Sequence, residues 1–505
     1  MKLRRARATA SVGSSFTLLR VALWCVLLAA VTYTSTDPDL WGNVRFGLDI
    51  LRDGNIPHTD EYSFTTDRVW VNHEWLAEVF IGNAFRAGGT VGLILLKLVA
   101  VGSIVLLLGF MLRRERIYSP IVRDAAVAAT IILTFEQTRY VRPQLFSLVA
   151  FAIVLTCLTR ARRGGQHWLL LLPPVFAIWA NLHGGWLVGG GIFALWTAVT
   201  ALAGNRRHAL WCTVVGGVSL AATLLNPYGV ELWTLLRDSV GLERADIVEW
   251  QPVYVLGWQS WVPWVVTAVI GLTGLVVRDR GERGAERVVC LIALAAGSIM
   301  VARLQAFFAL AVLFLVGPAV TGAYQAARAI EITPVVRPPS RVMSAFALAI
   351  TAAALIVTTT NLTHLRIDPR WTPEAGAVSF LNAEPAGRRV LIWFDWGGYA
   401  LWHLAPRMRI SMDGRRETVY SPDLQDRHLR FYFDAPGGAS LPTDLAVDYV
   451  WIPRTLPAVQ RLDADGWRRL YEGQQSVIFG RAALSQTSAR VVLAADPEAR
   501  FFPGP

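Results

Sequence analysis

FTLLRVALWCVLLAAVTYTSTDPDLW, residues 16–41, joins an apolar run to a short acidic turn. The run from Phe16 to Tyr33 is long enough to cross a bilayer as a helix. The turn Asp37-Pro38-Asp39 follows it almost at once. Charge next to hydrocarbon is costly and commonly marks chemistry or a substrate path. The stretch therefore predicts a membrane helix that ends at a functional surface.

The composition is that of a protein with repeated membrane-spanning helices. Of its 505 residues, 54% are hydrophobic and 17% are charged, and the mean hydropathy is +0.41. Soluble proteins carry about a quarter charged residues. Apolar runs of about 17 to 22 residues recur along the chain, as expected for transmembrane helices. The formal net charge of +11 comes with arginines in short loops between these runs, which indicates membrane topology rather than nucleic-acid binding.

The cysteines and the N-terminus favour neither disulfides nor a cleaved leader. Cys25, Cys157, Cys212 and Cys290 all lie in apolar runs. The large polar regions contain no cysteine, so a disulfide framework is excluded, and no pair has the spacing of zinc ligands. The basic residues 1–7 precede an apolar run that is long for a signal peptide, without a clear cleavage site. We interpret this run as an uncleaved first transmembrane helix.

Loop charges predict about eleven transmembrane helices, with the N-terminus in the cytoplasm and the C-terminus outside. The predicted spans cover residues 16–33, 89–112, 125–138, 144–158, 168–180, 186–202, 210–225, one between 257 and 278, 288–301, 307–324 and 344–360. Segments predicted inside are rich in arginine, whereas those outside are acidic, mixed or very short. The prediction is a transmembrane domain at 1–362, with a first outer loop at 34–83, and an extracytoplasmic α/β domain at 363–505.

Mixed polar residues concentrate on the predicted outer face. They are Asp37, Asp39, Arg45, His58, Asp60, Glu61, His73 and Glu74 in the first loop, then Glu136, Arg139, Arg142, Asn181, His183, Asn226 and Arg303. The predicted cytoplasmic loops carry arginine but few comparable mixtures of acid, histidine and asparagine. Because ionisable residues at membrane depth usually serve a function, this pattern predicts an active-site cavity at the outer leaflet.

The acidic candidates each have a structural alternative. Asp37 and Asp39 flank a proline and could cap a helix that begins near Leu40. Glu74 could be a first-turn acid on an amphipathic helix at 74–85, where it would favour the positive end of the helix dipole.

The basic candidates have alternatives of their own. Arg139 and Arg142 could anchor lipid headgroups by extending along the apolar surface. His183 stands beside two glycines and could be a buried polar bridge between helices. Arg303 lies in an apolar context with few alternatives, which favours a functional role.

Hydrophobic alternation predicts ordered structure in both large polar regions. In the first loop, residues 44–51 have helical spacing and residues 53–57 are a stop signal. In the C-terminal region, strands are predicted at 389–394, 408–412 and 448–452, a helix from 397, and a hairpin at 467–471 and 476–479. Asp395, Asp413 and Arg415 stand at predicted strand ends, where sites often lie. They could equally be turn residues without chemistry.

Several motifs together resemble bacterial members of the GT-C superfamily, which are multi-span glycosyltransferases that use lipid-phosphate-linked sugars. The motifs are Asp37-Pro38-Asp39-Leu40-Trp41, Gly54-Asn55-Ile56-Pro57, Asp60, Ser63-Phe64, His73-Glu74-Trp75-Leu76, Arg142-Pro143-Gln144, residues 179–185, Asn226-Pro227-Tyr228-Gly229, Trp396-Gly397-Gly398-Tyr399 and Asp413-Gly414-Arg415. Protein O-mannosyltransferases, the aminoarabinose transferase and oligosaccharyltransferases are more distantly similar. The resemblance implies a GT-C-like enzyme of the bacterial inner membrane with a first-loop acid, an outward-facing site and a soluble outer domain.

The resemblance also implies a mechanism. A polyprenyl-phosphate sugar loses a phosphate, so one carboxylate base and cations for the phosphate suffice, and single displacement inverts the anomeric centre. The implied base is Asp39 or Asp37, with Glu74 as orienter or alternative base. The implied ligands of the phosphate or sugar are His73, Arg139, Arg142, Asn181, His183 and Arg303.

Two features of the implied mechanism stay open. Protein mannosyltransferases have an adjacent Asp-Glu pair where this chain has Asp37-Pro38-Asp39, so the catalytic acid is undecided. A divalent cation, Mg²⁺ or Mn²⁺, on Asp37 and Asp39 is a further alternative, and no other cofactor is expected. The expected partners are the polyprenyl-phosphate donor, a lipid, glycan or protein acceptor, and membrane lipids.

Other functions fit parts of the pattern. A transporter or flippase of lipid-linked sugars would favour midplane charges and internal repeats, and the sequence shows no clear repeat. A surface-polysaccharide polymerase or ligase would share much of the chemistry. A non-catalytic envelope scaffold would tolerate substitution of the first-loop acids.

Overall fold

The chain is described by a computed structural model over residues 2–240, 247–277, 284–330, 341–368, 372–481, 490–491 and 501–504. Parts of three predicted loops, at 241–246, 278–283 and 331–340, lie outside the described residues. The described residues fall into two compact units. The helical unit is drawn from 1–34, 94–229 and 241–363, and the mixed unit from 35–93, 230–240 and 364–505. The predicted domain boundary at 362/363 stays a prediction.

Helices make up most of the described chain. Helices α1 to α8 cover Lys2–Thr32, Leu40–Asp53, Trp75–Arg114, Pro120–Leu133, Phe135–Thr138, Gln144–Arg162, Leu172–Trp179 and Trp186–Leu202. Helices α9 to α15 cover Arg206–Ala222, Glu231–Val240, Trp258–Val277, Ala285–Met300, Gln305–Leu315, Gly317–Ile330 and Arg341–Thr363. Helices α16 to α20 cover Ala375–Ala383, Gly397–Leu404, Pro422–Tyr432, Leu441–Asp444 and Ala458–Ala464. Short 3₁₀ turns lie at Gln166–Leu171, Val248–Trp250, Ala302–Leu304, Phe394–Trp396 and Arg416–Thr418.

Within the described part of the chain, four helices are long and apolar enough to cross a membrane by length and composition, namely α3, α6, α11 and α15. Residues 302–315 and 317–327 meet at a bend of 46° and would make a fifth span together. Helix α8 and residues 17–32 of α1 are shorter apolar helices. The protein is therefore a multi-pass helical membrane protein, as predicted. The count of about eleven spans and the orientation of the termini stay predictions.

Three predicted spans are interrupted in the structure. The span predicted at 307–324 is divided at Val316 between α13 and α14. The span predicted at 168–180 is a 3₁₀ turn followed by α7, whose first turn contains prolines. Proline has no amide hydrogen to donate, so it is tolerated at the start of a helix but not inside one. The span predicted at 125–138 is α4 and α5, separated at Thr134, where φ is −104° and ψ is 4°.

The helical unit packs around α13. Residues 306–315 of this helix are buried on every face, as expected for a helix that is apolar all round. Helix α1 packs along α15, where Asn361 Nδ2 donates to the Ala29 carbonyl at 3.0 Å. Arg20 Nε lies 2.6 Å from Asp124 Oδ2 between α1 and α4. These polar groups are thus paired within apolar surroundings.

The mixed unit contains a six-stranded sheet. Strands β1 to β6 are Arg389–Ile392, Arg409–Ile410, Tyr449–Pro453, Arg468–Glu472, Ser476–Gly480 and Arg490–Val491, in the order β2-β1-β3-β5-β4-β6. The first three run parallel, and β5 runs antiparallel to β3 and β4. The predicted hairpin is confirmed as β4 and β5. The first predicted strand ends early, at Ile392, because a 3₁₀ turn begins at Phe394.

The first loop belongs to the mixed unit and is ordered. Helix α2 begins at Leu40 and ends at Asp53, and the next residue, Gly54, has a left-handed φ of 64° and donates its N–H to the Ile50 carbonyl. The predicted helix at 44–51 and its stop signal are therefore confirmed. The predicted helix at 74–85 is confirmed as the first part of α3, because Gly88 and Gly89 are non-helical and form a kink that separates it from the part that covers the span predicted at 89–112.

Candidate functional site

The acidic turn before α2 presents its two aspartates differently. Asp37 is buried, with 7% of its surface exposed, whereas Asp39 is exposed. Asp39 stands at the N-cap of α2, yet its side chain makes no capping hydrogen bond. The helix start is instead held through the backbone, where the Asp37 and Asp39 carbonyls accept N–H groups of Leu40 and Asn43. Capping of α2 by a side-chain hydrogen bond therefore does not account for an acid at position 39.

Three motifs of the mixed unit meet at this turn through glycines. A Cβ atom at Gly414 would overlap Oδ1 of Asp39, and one at Gly398 would lie 2.6 Å from the Pro38 carbonyl oxygen. A Cβ at Gly397 would overlap the backbone of Asp413. The Asp37-Pro38-Asp39, Gly397-Gly398 and Asp413-Gly414 segments are therefore packed at backbone distance.

Arg415 ties the C-terminal turn to the first loop. Its Nη1 lies 2.8 Å from Asp60 Oδ1, and its Nη2 and Nε lie 2.7 and 2.9 Å from the Asp413 carboxylate. The side chains of Asp60, Asp413 and Arg415 are 0%, 2% and 9% exposed. Burial alone would lower the pKa of Arg415, but the two carboxylates outweigh it and hold the pKa well above its usual range.

The surroundings of this ion cluster fix its geometry. Asp60 also accepts the backbone N–H groups of Tyr62 and Ser63, at 2.9 and 3.3 Å. The Arg415 guanidinium lies 4.6 to 5.4 Å from the ring centres of Phe46, Tyr62 and Trp70, within the range of cation–π attraction. Sequence analysis placed Asp60 and Arg415 among its candidates without pairing them.

His73 and Glu74 stand just before α3. His73 Nε2 lies 3.5 Å from Glu74 Oε1, and the Glu74 N–H donates to Asn72 Oδ1 at 3.2 Å. Asn72 Nδ2 donates to the buried Glu78 at 2.5 Å. Glu74 lies one residue before α3, which begins at Trp75, so it stands at the cap of this helix and the acid in the first turn is Glu78.

In the helical unit, one carboxylate holds two of the candidate arginines. Glu249 Oε2 lies 2.9 Å from Arg142 Nη1, and Oε1 lies 2.8 Å from Arg303 Nη1. Burial would raise the pKa of Glu249, but the charges of Arg142 and Arg303 outweigh it and lower the pKa to about 2. Glu249 is thus a fixed anion at the meeting point of two guanidinium groups. Glu249 is not among the residues predicted from the sequence, because nothing in the mixed loop around it distinguishes one acid from another.

His183 extends this cluster. The Gly185 N–H donates to its Nδ1 at 2.9 Å, and Ser147 Oγ lies 2.8 Å from the same atom. Because Nδ1 accepts, the proton of a neutral imidazole lies on Nε2. That atom lies 3.3 Å from Arg303 Nη2, so two donor groups stand side by side. An anionic oxygen is the partner that such a pair favours.

Arg139 and Asn181 make other contacts. Arg139 donates to the Tyr140 hydroxyl and lies 3.3 Å from Glu136. The same tyrosine ring lies 4.6 and 5.3 Å from the guanidinium carbons of Arg139 and Arg142. Asn181 Nδ2 donates to the carbonyls of Ala177 and Leu225. These hydrogen bonds connect the end of α7 to the segment after α9, so the Asn181 amide has a structural role.

The described residues contain no group of three or more His, Cys, Asp and Glu side chains that could hold a metal ion. Asp37 and Asp39 are two acids of different exposure. A cation on them would take its remaining ligands from water or substrate oxygens, which is a common way of binding Mg²⁺.

The solved structures to which this structure is loosely similar include an arabinofuranosyltransferase and ArnT, all at low sequence identity. The arabinofuranosyltransferase AftD from Mycobacteria has a TM-score of 0.49 and 16% identity over 92% of this chain and 41% of its own. This chain thus spans about two fifths of AftD. ArnT from Cupriavidus metallidurans, bound to undecaprenyl phosphate, has a TM-score of 0.46 and 13% identity over 94% and 99% of the two chains.

Apo ArnT from the same organism has a TM-score of 0.47 and 15% identity over 94% and 99% of the two chains. No protein-family model and no curated protein matches the sequence. Because the structural likenesses are loose, we base the proposed function on this chain's own residues.

Proposed function

We propose that this protein is a glycosyltransferase of the bacterial plasma membrane. It moves a sugar from a polyprenyl-phosphate donor to a lipid, glycan or protein acceptor at the outer face, with inversion. The observation that carries the proposal is the pair of Arg142 and Arg303 on Glu249, with His183 beside Arg303, because these groups place several hydrogen-bond donors close together.

The arginine cluster suits the donor's phosphate. Guanidinium groups bind phosphate oxygens through paired, charge-assisted hydrogen bonds. Glu249 occupies both arginines in the structure, so a phosphate that binds there takes over its contacts. Fixed cations also stabilise the charge that develops on the leaving phosphate. No strong general acid is then needed.

The exposed first-loop acid suits the base. Asp39 is the more exposed of the two aspartates and is not engaged as a helix cap. In a single displacement the acceptor oxygen loses its proton to this carboxylate and bonds to the anomeric carbon. The bond from that carbon to the phosphate oxygen breaks, and polyprenyl phosphate leaves with the electron pair. Attack opposite the leaving group inverts the anomeric centre.

The remaining roles are secondary. Glu74 orients the acceptor or its neighbours, and Arg139 and His73 contribute further hydrogen bonds to donor or acceptor. Mg²⁺ or Mn²⁺ on Asp37 and Asp39 stays a proposal, which chelation and readdition of metal would test.

The test is release of polyprenyl phosphate by purified protein in lipid vesicles, supplied with a panel of polyprenyl-phosphate sugars. We expect Asp39→Asn to lower kcat by at least about 100-fold and Arg142→Gln and Arg303→Gln to weaken donor binding. Glu61→Gln, an exposed acid of the same loop, and Arg237→Gln, an exposed arginine, serve as matched controls.

The outcomes separate the functions. A product whose anomeric configuration is retained contradicts single displacement. No release from any donor, with labelled lipid crossing the bilayer equally in wild type and variants, would replace the proposal by a flippase. Polymerised or ligated glycan as product would identify the acceptor as a surface polysaccharide.

A further inference from the structure

Position 414 is glycine for reasons of space. Gly414 does not have a left-handed φ, so its backbone conformation is open to other residues. A Cβ atom there would overlap Asp39 Oδ1 and lie 3.0 Å from Asp39 Cγ, and no other group is as near. The group that would have to move is therefore the Asp39 carboxylate.

The turn that carries Gly414 cannot easily recede. On one side Asp413 binds the Arg415 guanidinium and accepts the Arg415 N–H at 3.0 Å. On the other, Arg415 is paired with Asp60, whose side chain is fully buried. Displacing the turn would separate buried charges, which costs several kcal/mol.

The first loop is also hydrogen-bonded to the strand that leads into this turn. Ser63 pairs with Ile410 in parallel fashion, and the Phe64 N–H donates to the Ile410 carbonyl at 3.1 Å. Ser63 Oγ and Thr65 Oγ1 both donate to the Ser411 carbonyl. The loop segment thus extends the sheet edge at β2.

A second contact fixes the backbone of the acid itself. Helix α17 begins at Gly397 and Gly398, whose missing side chains admit the Asp413 backbone and the Pro38 carbonyl. A larger residue at 398 would press on backbone rather than on a movable side chain.

We propose that the C-terminal region completes the active site, with Gly414 as a positioning residue for the Asp39 carboxylate. The inference rests on the proposed function, in which Asp39 is the base. Under this proposal the C-terminal region contributes to the chemical step by positioning the base. A domain that only binds the acceptor would not affect that step. A misplacement of a catalytic group by about 1 Å can cost about 100-fold in rate, so a single methyl group at 414 is a sharp probe.

The kinetic test compares Gly414→Ala with wild type in the vesicle assay. We expect kcat to fall by about 10- to 100-fold with the donor KM unchanged. In the Asp39→Asn background, the same change should have no further effect on kcat, since the displaced group no longer acts. Gly217→Ala, at a helical glycine with nothing within 4 Å, is the control and should keep wild-type kcat.

A thermal test of the contact does not depend on activity. Gly414→Ala should lower the Tm in wild type and have little effect in an Asp39→Ala background, where the crowded carboxylate is gone. Comparing wild type, the two single variants and the double variant therefore tests the contact between Gly414 and Asp39 even if Gly414→Ala alone folds poorly.

The possible failures are distinguishable. Wild-type kcat in Gly414→Ala, or equal losses of kcat with and without Asp39, overturns the positioning role while glycosyl transfer stands. Lack of turnover by wild-type protein overturns the proposed function and, with it, the role of Gly414 in positioning a catalytic base. The Tm comparison still tests whether Gly414 and Asp39 are in contact. Equal Tm losses in both backgrounds would show that Gly414 does not act on Asp39.

Discussion

Replacing Glu249 by glutamine should strengthen the binding of polyprenyl phosphate by about tenfold. In the proposed function the donor phosphate must take Arg142 and Arg303 from Glu249, whose oxygens lie 2.9 and 2.8 Å from them. Glutamine has nearly the same shape but no charge, so the arginines are released to the phosphate without an ion pair being broken.

The magnitude follows from the pKa of Glu249. A fall from the ordinary value of 4.5 to about 2 corresponds to about 3 kcal/mol in favour of the charged carboxylate. The side chain is 30% exposed, so water recovers part of this interaction when the pair opens. About half of it, on the order of 1 to 2 kcal/mol, corresponds to about a tenfold change in Kd.

Titration of purified protein in nanodiscs with polyprenyl phosphate measures this effect, by calorimetry or through the fluorescence of Trp250, whose ring lies 5.7 Å from the Arg303 guanidinium carbon. Glu61→Gln is the control for a general change in charge. Weaker or unchanged binding in Glu249→Gln would refute the reasoning and make Glu249 a residue that orients the arginines for their ligand.

The lowered pKa of Glu249 also predicts that the stability difference between wild type and Glu249→Gln depends on pH. Because the folded-state pKa of Glu249 lies below its unfolded value, its contribution is fully present above pH 4.5 and is lost as the pH falls towards about 2. Glu249→Gln should therefore lower the Tm at neutral pH, and the difference should shrink in acid. A difference that grows in acid would contradict the assignment.

Three further outcomes are expected. Arg415→Met leaves two buried carboxylates unpaired and should destabilise the protein by about 3 to 5 kcal/mol, measured by chemical unfolding; a loss under about 1 kcal/mol would contradict the buried-pair description. Phe502→Ala removes a ring that is 4% exposed and should cost about 3 to 5 kcal/mol in the same assay; a loss under about 1 kcal/mol would contradict the packing of this ring. Arg303→Lys keeps the charge but loses the planar fork, so donor KM should rise by about tenfold or more with Tm nearly unchanged, and an unaltered KM would remove Arg303 from the phosphate site.

Much of the local structure could be predicted from the sequence. The stop signal after residue 53 marks the end of α2, and alternation of apolar residues located β3 and the hairpin of β4 and β5. Such features depend on neighbours along the chain, namely the glycine that a left-handed helix end requires and the period of the buried face. Where prolines or a 3₁₀ turn interrupt an apolar run, as before α7, the prediction of a continuous span was too simple.

The candidate site was less predictable. Sequence analysis named Asp39, Arg142, His183 and Arg303, because charge beside apolar runs is unusual. It did not find Glu249, which lies 107 residues from Arg142. With 48 basic and 37 acidic residues in the chain, composition alone does not decide which acid meets which base.

The sequence by itself determined that the chain carries apolar membrane helices and a mixed α/β region. It also located part of the helices and strands, and it singled out charged residues beside apolar runs as candidates for function. Only the tertiary structure decided that Asp39 is exposed while Asp37 is buried, and that Gly414 makes room for a carboxylate rather than for a turn. The reason is physical. The spacing of apolar residues along a helix or strand is a local property of the sequence. Which charged groups pair, and where space is left beside a side chain, depend on which distant segments pack together.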